Sequence, residues 1–164
     1  MPRIEIPDGD QPEVLRALSL VPHFVEAVNA KEGAVWASPL PRRTHELVRI
    51  RIAEINGCTL CLSWRNGWAD EGDLADVGNF ATSTRFDDAE RVALEYADRF
   101  CTDSTSIDDA LMTQLAEHFT PAEIVDLTLV IGKYLAMGRF MQVLGLDQAC
   151  TISYDADGKL VSSS

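Results

Sequence analysis

Thr44-His45-Glu46-Leu47-Val48-Arg49-Ile50-Arg51-Ile52-Ala53-Glu54-Ile55-Asn56-Gly57 is the stretch on which the fold class turns. Val48, Ile50 and Ile52 alternate with Arg49 and Arg51 at period two, the pattern of a half-buried strand. Thr44 as a cap, Glu46 in a first turn, and Val48, Ile52 and Ile55 at i, i+4 and i+7 fit a helix instead. Helical signals on both sides decide for helix, with Asn56-Gly57 as its stop or bend.

Those neighbouring signals are specific. Thr120-Pro121-Ala122-Glu123 is a capping box with Pro at the first helical position. Ile124, Val125, Leu127, Ile131, Leu135 and Met141 then run toward Gly145. Asp126, Lys133 and Arg139 exclude a lipid-facing span, so this is expected to be a central core helix, with Gly132 and Gly138 allowing close packing or a bend. Asp87-Asp88-Ala89-Glu90 opens a helix striped by Val92, Ala93, Tyr96, Ala97 and Phe100. Ser106-Ile107-Asp108-Asp109 opens another, carrying Leu111, Met112, Leu115 and Phe119. Near the start, Val14, Leu15 and Leu18 suit a short helix that Pro22 interrupts and restarts. Ile152 to Val161 reads as a short hairpin turning at Asp157-Gly158. The expected organisation is an all-α domain over 12–146, an N-terminal tail over 1–11, and a C-terminal tail or β-hairpin over 147–164.

The chain has 164 residues, 46% apolar and 24% charged, with a formal net charge of −12. That is an ordinary globular mix, long enough for one domain with a core. A pI near 4.5 argues against nucleic acid as the partner, because phosphate binding needs clustered Lys and Arg. No apolar run approaches the ~20 residues that span a bilayer, and the acidic start lacks a signal-peptide core. A soluble cytoplasmic protein is expected. The charge is uneven: Asp70–Asp109 holds twelve acids and three Arg, whereas Arg42–Arg65 holds five Arg and two Glu. This basic island contains Cys58 and Cys61, and reads either as chance spacing or as a positive environment around a thiol.

Cys58-Thr59-Leu60-Cys61 carries the chemical content. On a helix, i and i+3 share a face, which permits a local disulfide or a shared metal. After Asn56-Gly57, Cys58 would sit at a fresh helix N-terminus, where free amides favour a thiolate. Three readings stand: a redox pair, two small buried residues, or half of a zinc site. Against zinc, Cys101, Cys150, His23, His45 and His118 form no second close pair, so no metal or cofactor is expected. Trp64 and Trp68, at i and i+4, read as a core or interface stripe, or as an apolar wall beside the cysteines.

Glu46, eleven residues, Cys58, two residues and Cys61 resemble the E-x11-C-x2-C-x3-H signature of the AhpD-like alkylhydroperoxidases, in the carboxymuconolactone decarboxylase superfamily. His45 to Arg49, Ile55 to Cys58 and Phe119 to Leu127 are similar as well, and the resemblance extends over about residues 12–146. It implies an all-α AhpD-like fold, homo-oligomers, and a thiol peroxidase or disulfide oxidoreductase. The substrate would be an organic hydroperoxide or other small molecule, and a reducing thiol/disulfide partner would reopen the disulfide. It makes Cys61 the peroxidatic thiol, Cys58 its resolving partner and Glu46 a proton-handling carboxylate. The helix-N-terminus argument points instead to Cys58 as the lower-pKa thiol, so the two arguments name different sulfurs. The signature's histidine falls on Arg65, which cannot shuttle protons near neutral pH but can bind an anionic group. His45 is a substitute relay, or a surface or capping residue. The alternatives are a non-redox decarboxylase-like lyase and a catalytically degenerate oligomeric module.

Overall fold

Eight α-helices follow one another in the computed structural model, which describes residues 1–146 and the two short strands 152–154 and 160–162. They are α1 (Glu13–Leu18), α2 (Pro22–Trp36), α3 (Arg42–Asn56), α4 (Thr59–Ser63), α5 (Glu71–Ala75), α6 (Asp88–Thr102), α7 (Asp109–His118) and α8 (Pro121–Leu144). The all-α expectation holds. β1 (Ile152–Tyr154) pairs antiparallel with β2 (Leu160–Ser162) in the register of a hairpin. Its expected turn at Asp157-Gly158 lies outside the described residues, as does Cys150.

The ambiguous stretch is α3, and its surroundings explain the ambiguity. It runs through the centre, packed on α6 and α8, and Thr44 to Ile50 are all buried. A helix buried on every side loses the one-sided stripe that separates helix from strand. The helix starts three residues earlier than expected, after Pro41, so Thr44 is not its cap. Gly57 ends it with φ 62°, a left-handed stop that suits glycine.

The capping boxes are where the sequence placed them. Asp87 and Glu90 cap α6 reciprocally, and Thr120 and Glu123 do the same for α8. α7 is capped by Asp108, within the stretch expected to open it, which accepts from Leu111 N–H. α8 gives Leu127, Val130 and Ile131 to the core, as a core helix should, but leaves Val125 and Leu129 each 61% exposed. α3 lies beside it at the centre. Of the two glycines on α8, Gly138 admits a close neighbour: a Cβ there would overlap the Asn56 amide, whereas Gly132 faces open space.

The basic island pairs largely with the acidic stretch that follows it. Arg43 bridges Asp73 and Glu90, Arg51 bonds Asp98 and Glu54, and Arg65 pairs with Glu71. These ties fasten α3 and the loop after α4 to α5 and α6. The 1–11 stretch is also fastened: Arg3 N–H bonds Leu144 O at 2.8 Å, and Arg16 donates to Pro7 O and Gln11 O. No described helix is long and apolar enough to cross a membrane.

Candidate functional site

Gly57 reverses the chain, so α4 folds back along α3. Cys58 caps α4, its Sγ accepting Cys61 N–H at 3.2 Å, and Cys58 and Cys61 are joined as a disulfide with their Cα atoms 5.3 Å apart. Of the three readings of the pair, the disulfide fits the redox one. Cys58 is completely buried, in a small apolar cluster with Val14 and Leu60. Cys61 is half-buried and lines a cavity of about 720 Å³ bounded by α1, α2, α3, α4 and α8. The two sulfurs therefore differ in access.

Twelve helical residues would separate Glu46 from Cys58 by about 18 Å. The chain reversal instead lets one guanidinium, that of Arg49, hold both the Glu46 carboxylate and Cys61 O within one subunit. Glu46, 0% exposed, receives Arg49 Nε at 2.9 Å and Nη2 at 2.7 Å. It also receives Asn66 N–H at 3.1 Å and Asn66 Nδ2 at 2.6 Å. Burial alone would raise its pKa, but the Arg49 and Asn66 donors outweigh burial and hold it below the usual carboxylate range. Glu46 is thus a fixed carboxylate. Arg49 carries its influence onward, donating to Cys61 O at 2.8 Å and Trp64 O at 2.7 Å, and lying over the Trp64 ring. Those carbonyls close the C-terminal end of α4, so the Glu46–Arg49 pair anchors the segment that bears the cysteines.

Arg65 is turned elsewhere. α4 stops at Ser63, so Arg65 lies in the loop beyond it. The guanidinium pairs with Glu71 at 2.8 Å and bonds the Leu62 and Trp64 carbonyls, and Arg65 is not among the cavity-lining residues. The anion-binding role expected for it has no support in this placement. The same helix end separates the tryptophans. Trp64 lines the cavity, while Trp68 packs against Trp36, His45 and Arg42.

His45 is neither surface nor cap. It is 2% exposed, and burial lowers its pKa to about 4, the Glu46 charge opposing this only in part. Its Nε2 lies 3.3 Å from the Tyr134 hydroxyl, and Tyr134 lines the cavity. Lys133, beside it, is buried and ion-paired to Glu32 at 2.5 Å. Burial lowers the Lys133 pKa against the pull of that carboxylate. Sequence reasoning missed Arg49, Asn66, Lys133 and Tyr134 as site residues. The available signal was charge inside apolar runs, at Arg49 and Lys133, since unpaired charges are rarely buried. Cys101 is free and buried, and burial pushes its thiol up to about 11. Among the described residues, no group of three or more His, Cys, Asp or Glu is placed to hold a metal ion.

Residues 22–99, which include Glu46, Cys58 and Cys61, match the model of the carboxymuconolactone decarboxylase family. The uncharacterized protein YnjA of Escherichia coli K12 is 34% identical over 116 residues, covering 66% of this chain and 63% of YnjA. This chain therefore spans less than two thirds of that relative. A protein of unknown function from Agrobacterium tumefaciens, with a suggested AhpD antioxidant defence role, has the same fold. Its TM-score is 0.73 at 24% identity, covering 88% of this chain and 96% of its own. The debrominase Bmp8 superposes with a TM-score of 0.74 at 17% identity, covering 90% of this chain and 79% of its own. The fold thus accommodates more than one chemistry. Family match, helical fold and the E-x11-C-x2-C spacing agree: residues 22–99 of this chain match the carboxymuconolactone decarboxylase family, and they sit in an AhpD-like fold.

Proposed function

We propose that the chain is a CxxC thiol oxidoreductase that reduces organic hydroperoxides, with Cys61 attacking and Cys58 resolving. The observation that carries this reading is the asymmetry of the pair: Cys61 lines the cavity, while Cys58 is fully buried within bonding distance of it. The Cys61 thiolate attacks the O–O bond, taking one oxygen as sulfenic acid, and the alkoxide leaves and is protonated to the alcohol. Cys58 displaces water from the sulfenic acid and forms the disulfide. An external dithiol then attacks the accessible Cys61 sulfur, expels Cys58 as thiolate, and leaves oxidised itself. The Cys61 N–H donated to Cys58 Sγ stabilises that leaving thiolate, so the helix-terminus argument describes the leaving group rather than the attacking one.

Glu46 and Arg49 hold the α4 segment and transfer no proton. The Tyr134 hydroxyl, backed by His45, is the protein group through which a proton reaches the departing oxygen. The exposed Val125, Leu129 and Val143 on α8 support a homo-oligomer, and a cytoplasmic setting suits a dithiol that must be reduced each cycle. Reduced protein given stoichiometric cumene hydroperoxide is expected to lose two thiols per chain, with the Cys58–Cys61 disulfide in the peptide map. Unchanged thiols after prolonged exposure would overturn the reading. Arg65→His is expected to leave the activity unaltered, because position 65 faces Glu71 rather than the cavity.

A further inference from the structure

The cavity that Cys61 lines is also lined by Glu32, Asn56 and Lys133. Asn56 closes α3, and its Nδ2 donates to Tyr134 O at 3.2 Å and Leu135 O at 3.4 Å. The amide is thereby oriented, leaving Oδ1 buried with no hydrogen-bond partner. Glu32 gives Oε2 to Lys133 Nζ at 2.5 Å, and its Oε1 is also buried without a partner. Buried acceptors are nearly always satisfied, so two unsatisfied ones on residues lining one cavity call for a donor from outside the protein. The remaining wall is largely apolar, with Val14, Leu15, Val25, Val28, Met137 and Met141. A few polar groups set in an apolar cavity of this size are the usual makeup of a small-molecule site.

Charge narrows the ligand further. Both cations on the wall are already paired, Lys133 with Glu32 and Arg49 with Glu46, so an anion would gain no free partner. We propose that Glu32 and Asn56 form the recognition end of this cavity, for a neutral organic substrate with an apolar body and a hydroxyl or N–H donor. The donor meets Glu32 Oε1, Asn56 Oδ1 is a second acceptor lining the same cavity, and Lys133 is a positioning residue that holds Glu32. This rests on the cavity beside Cys61 being the substrate site.

The test uses the oxidised full-length protein, in which no turnover occurs, and isothermal titration calorimetry with three probes of similar shape. These are 4-tert-butylphenol, its methyl ether 4-tert-butylanisole, and 4-tert-butylbenzoate. A donor to a buried charged acceptor gives the phenol an affinity about tenfold above the ether, with the benzoate weakest. The paired change Glu32→Met with Lys133→Met strands no charge, and is expected to bring the phenol within about twofold of the ether. The wild-type comparison stands without any variant. Equal binding of phenol and ether, tighter benzoate, or no binding of any probe would overturn the proposal. Two thiols lost to cumene hydroperoxide without a phenol preference would remove the recognition end and leave the thiol chemistry. A phenol preference without thiol loss would remove the thiol chemistry and leave the recognition end.

Discussion

Arg49→Met isolates the interaction that makes the signature glutamate and the cysteine segment one structure. The Arg49 and Glu46 side chains are 2% and 0% exposed, and they share two hydrogen bonds at 2.9 and 2.7 Å. Methionine fills much of the same volume but leaves Glu46 as a buried carboxylate with Asn66 alone. It also strips Cys61 O and Trp64 O of their Arg49 donor. Removing one partner of a buried ion pair costs about 3–5 kcal/mol, mostly through the stranded charge. Adding Glu46→Gln removes that charge. The new amide can also donate to Asn66 Oδ1, a buried oxygen without a partner, once the Asn66 amide turns over. The double variant is therefore expected to be at least ~2 kcal/mol more stable than Arg49→Met alone. Urea unfolding of the oxidised proteins at pH 7, followed by tryptophan fluorescence, measures both. A loss below ~1 kcal/mol for Arg49→Met, or a double variant that loses the sum of the two singles, would refute the reasoning.

His45 sets a pH dependence. Its folded pKa of about 4 lies below the unfolded 6.5, so on acidification the unfolded chain binds the proton first. Its contribution is intact above the unfolded value and is lost as pH falls toward 4. By pH 5 the loss reaches ~2 kcal/mol, and the difference between wild type and His45→Gln across pH 7.5 to 5 should show it. Gly138→Ala drives a Cβ into the Asn56 amide. It should destabilise by ~1–2 kcal/mol on thermal melting, whereas a merely exposed helix glycine would gain up to ~1 kcal/mol. Cys101, buried with its thiol pushed up to about 11, should resist iodoacetamide in the folded protein while reduced Cys61 reacts.

The parts of the fold written in local chemistry were legible. Capping boxes at Asp87/Glu90 and Thr120/Glu123 mark the starts of α6 and α8, because the residues that satisfy a helix terminus lie next to it in sequence. α3 was harder because burial on all sides removes the contrast between its faces. The spacing from Glu46 to the cysteines was visible, but the reason for it was not. The link between them depends on a reversal at Gly57 and on Arg49, which bonds both Glu46 and Cys61 O, with Asn66 returning to Glu46 from 20 residues away in sequence. The signature spacing that marks Arg65 carries no sign that α4 ends at Ser63 and that Arg65 turns to Glu71. The cavity itself draws on α1, α2 and α8 as well, contacts that no local pattern encodes.

Trapping the sulfenic acid tests the central claim most directly. Reduced Cys58→Ser, given stoichiometric cumene hydroperoxide and dimedone, is expected to carry the dimedone adduct on Cys61, because that sulfur lines the cavity. Reduced Cys61→Ser should stay unmodified at Cys58, which is fully buried. An adduct on Cys58 in the second variant, or none on Cys61 in the first, would contradict the account.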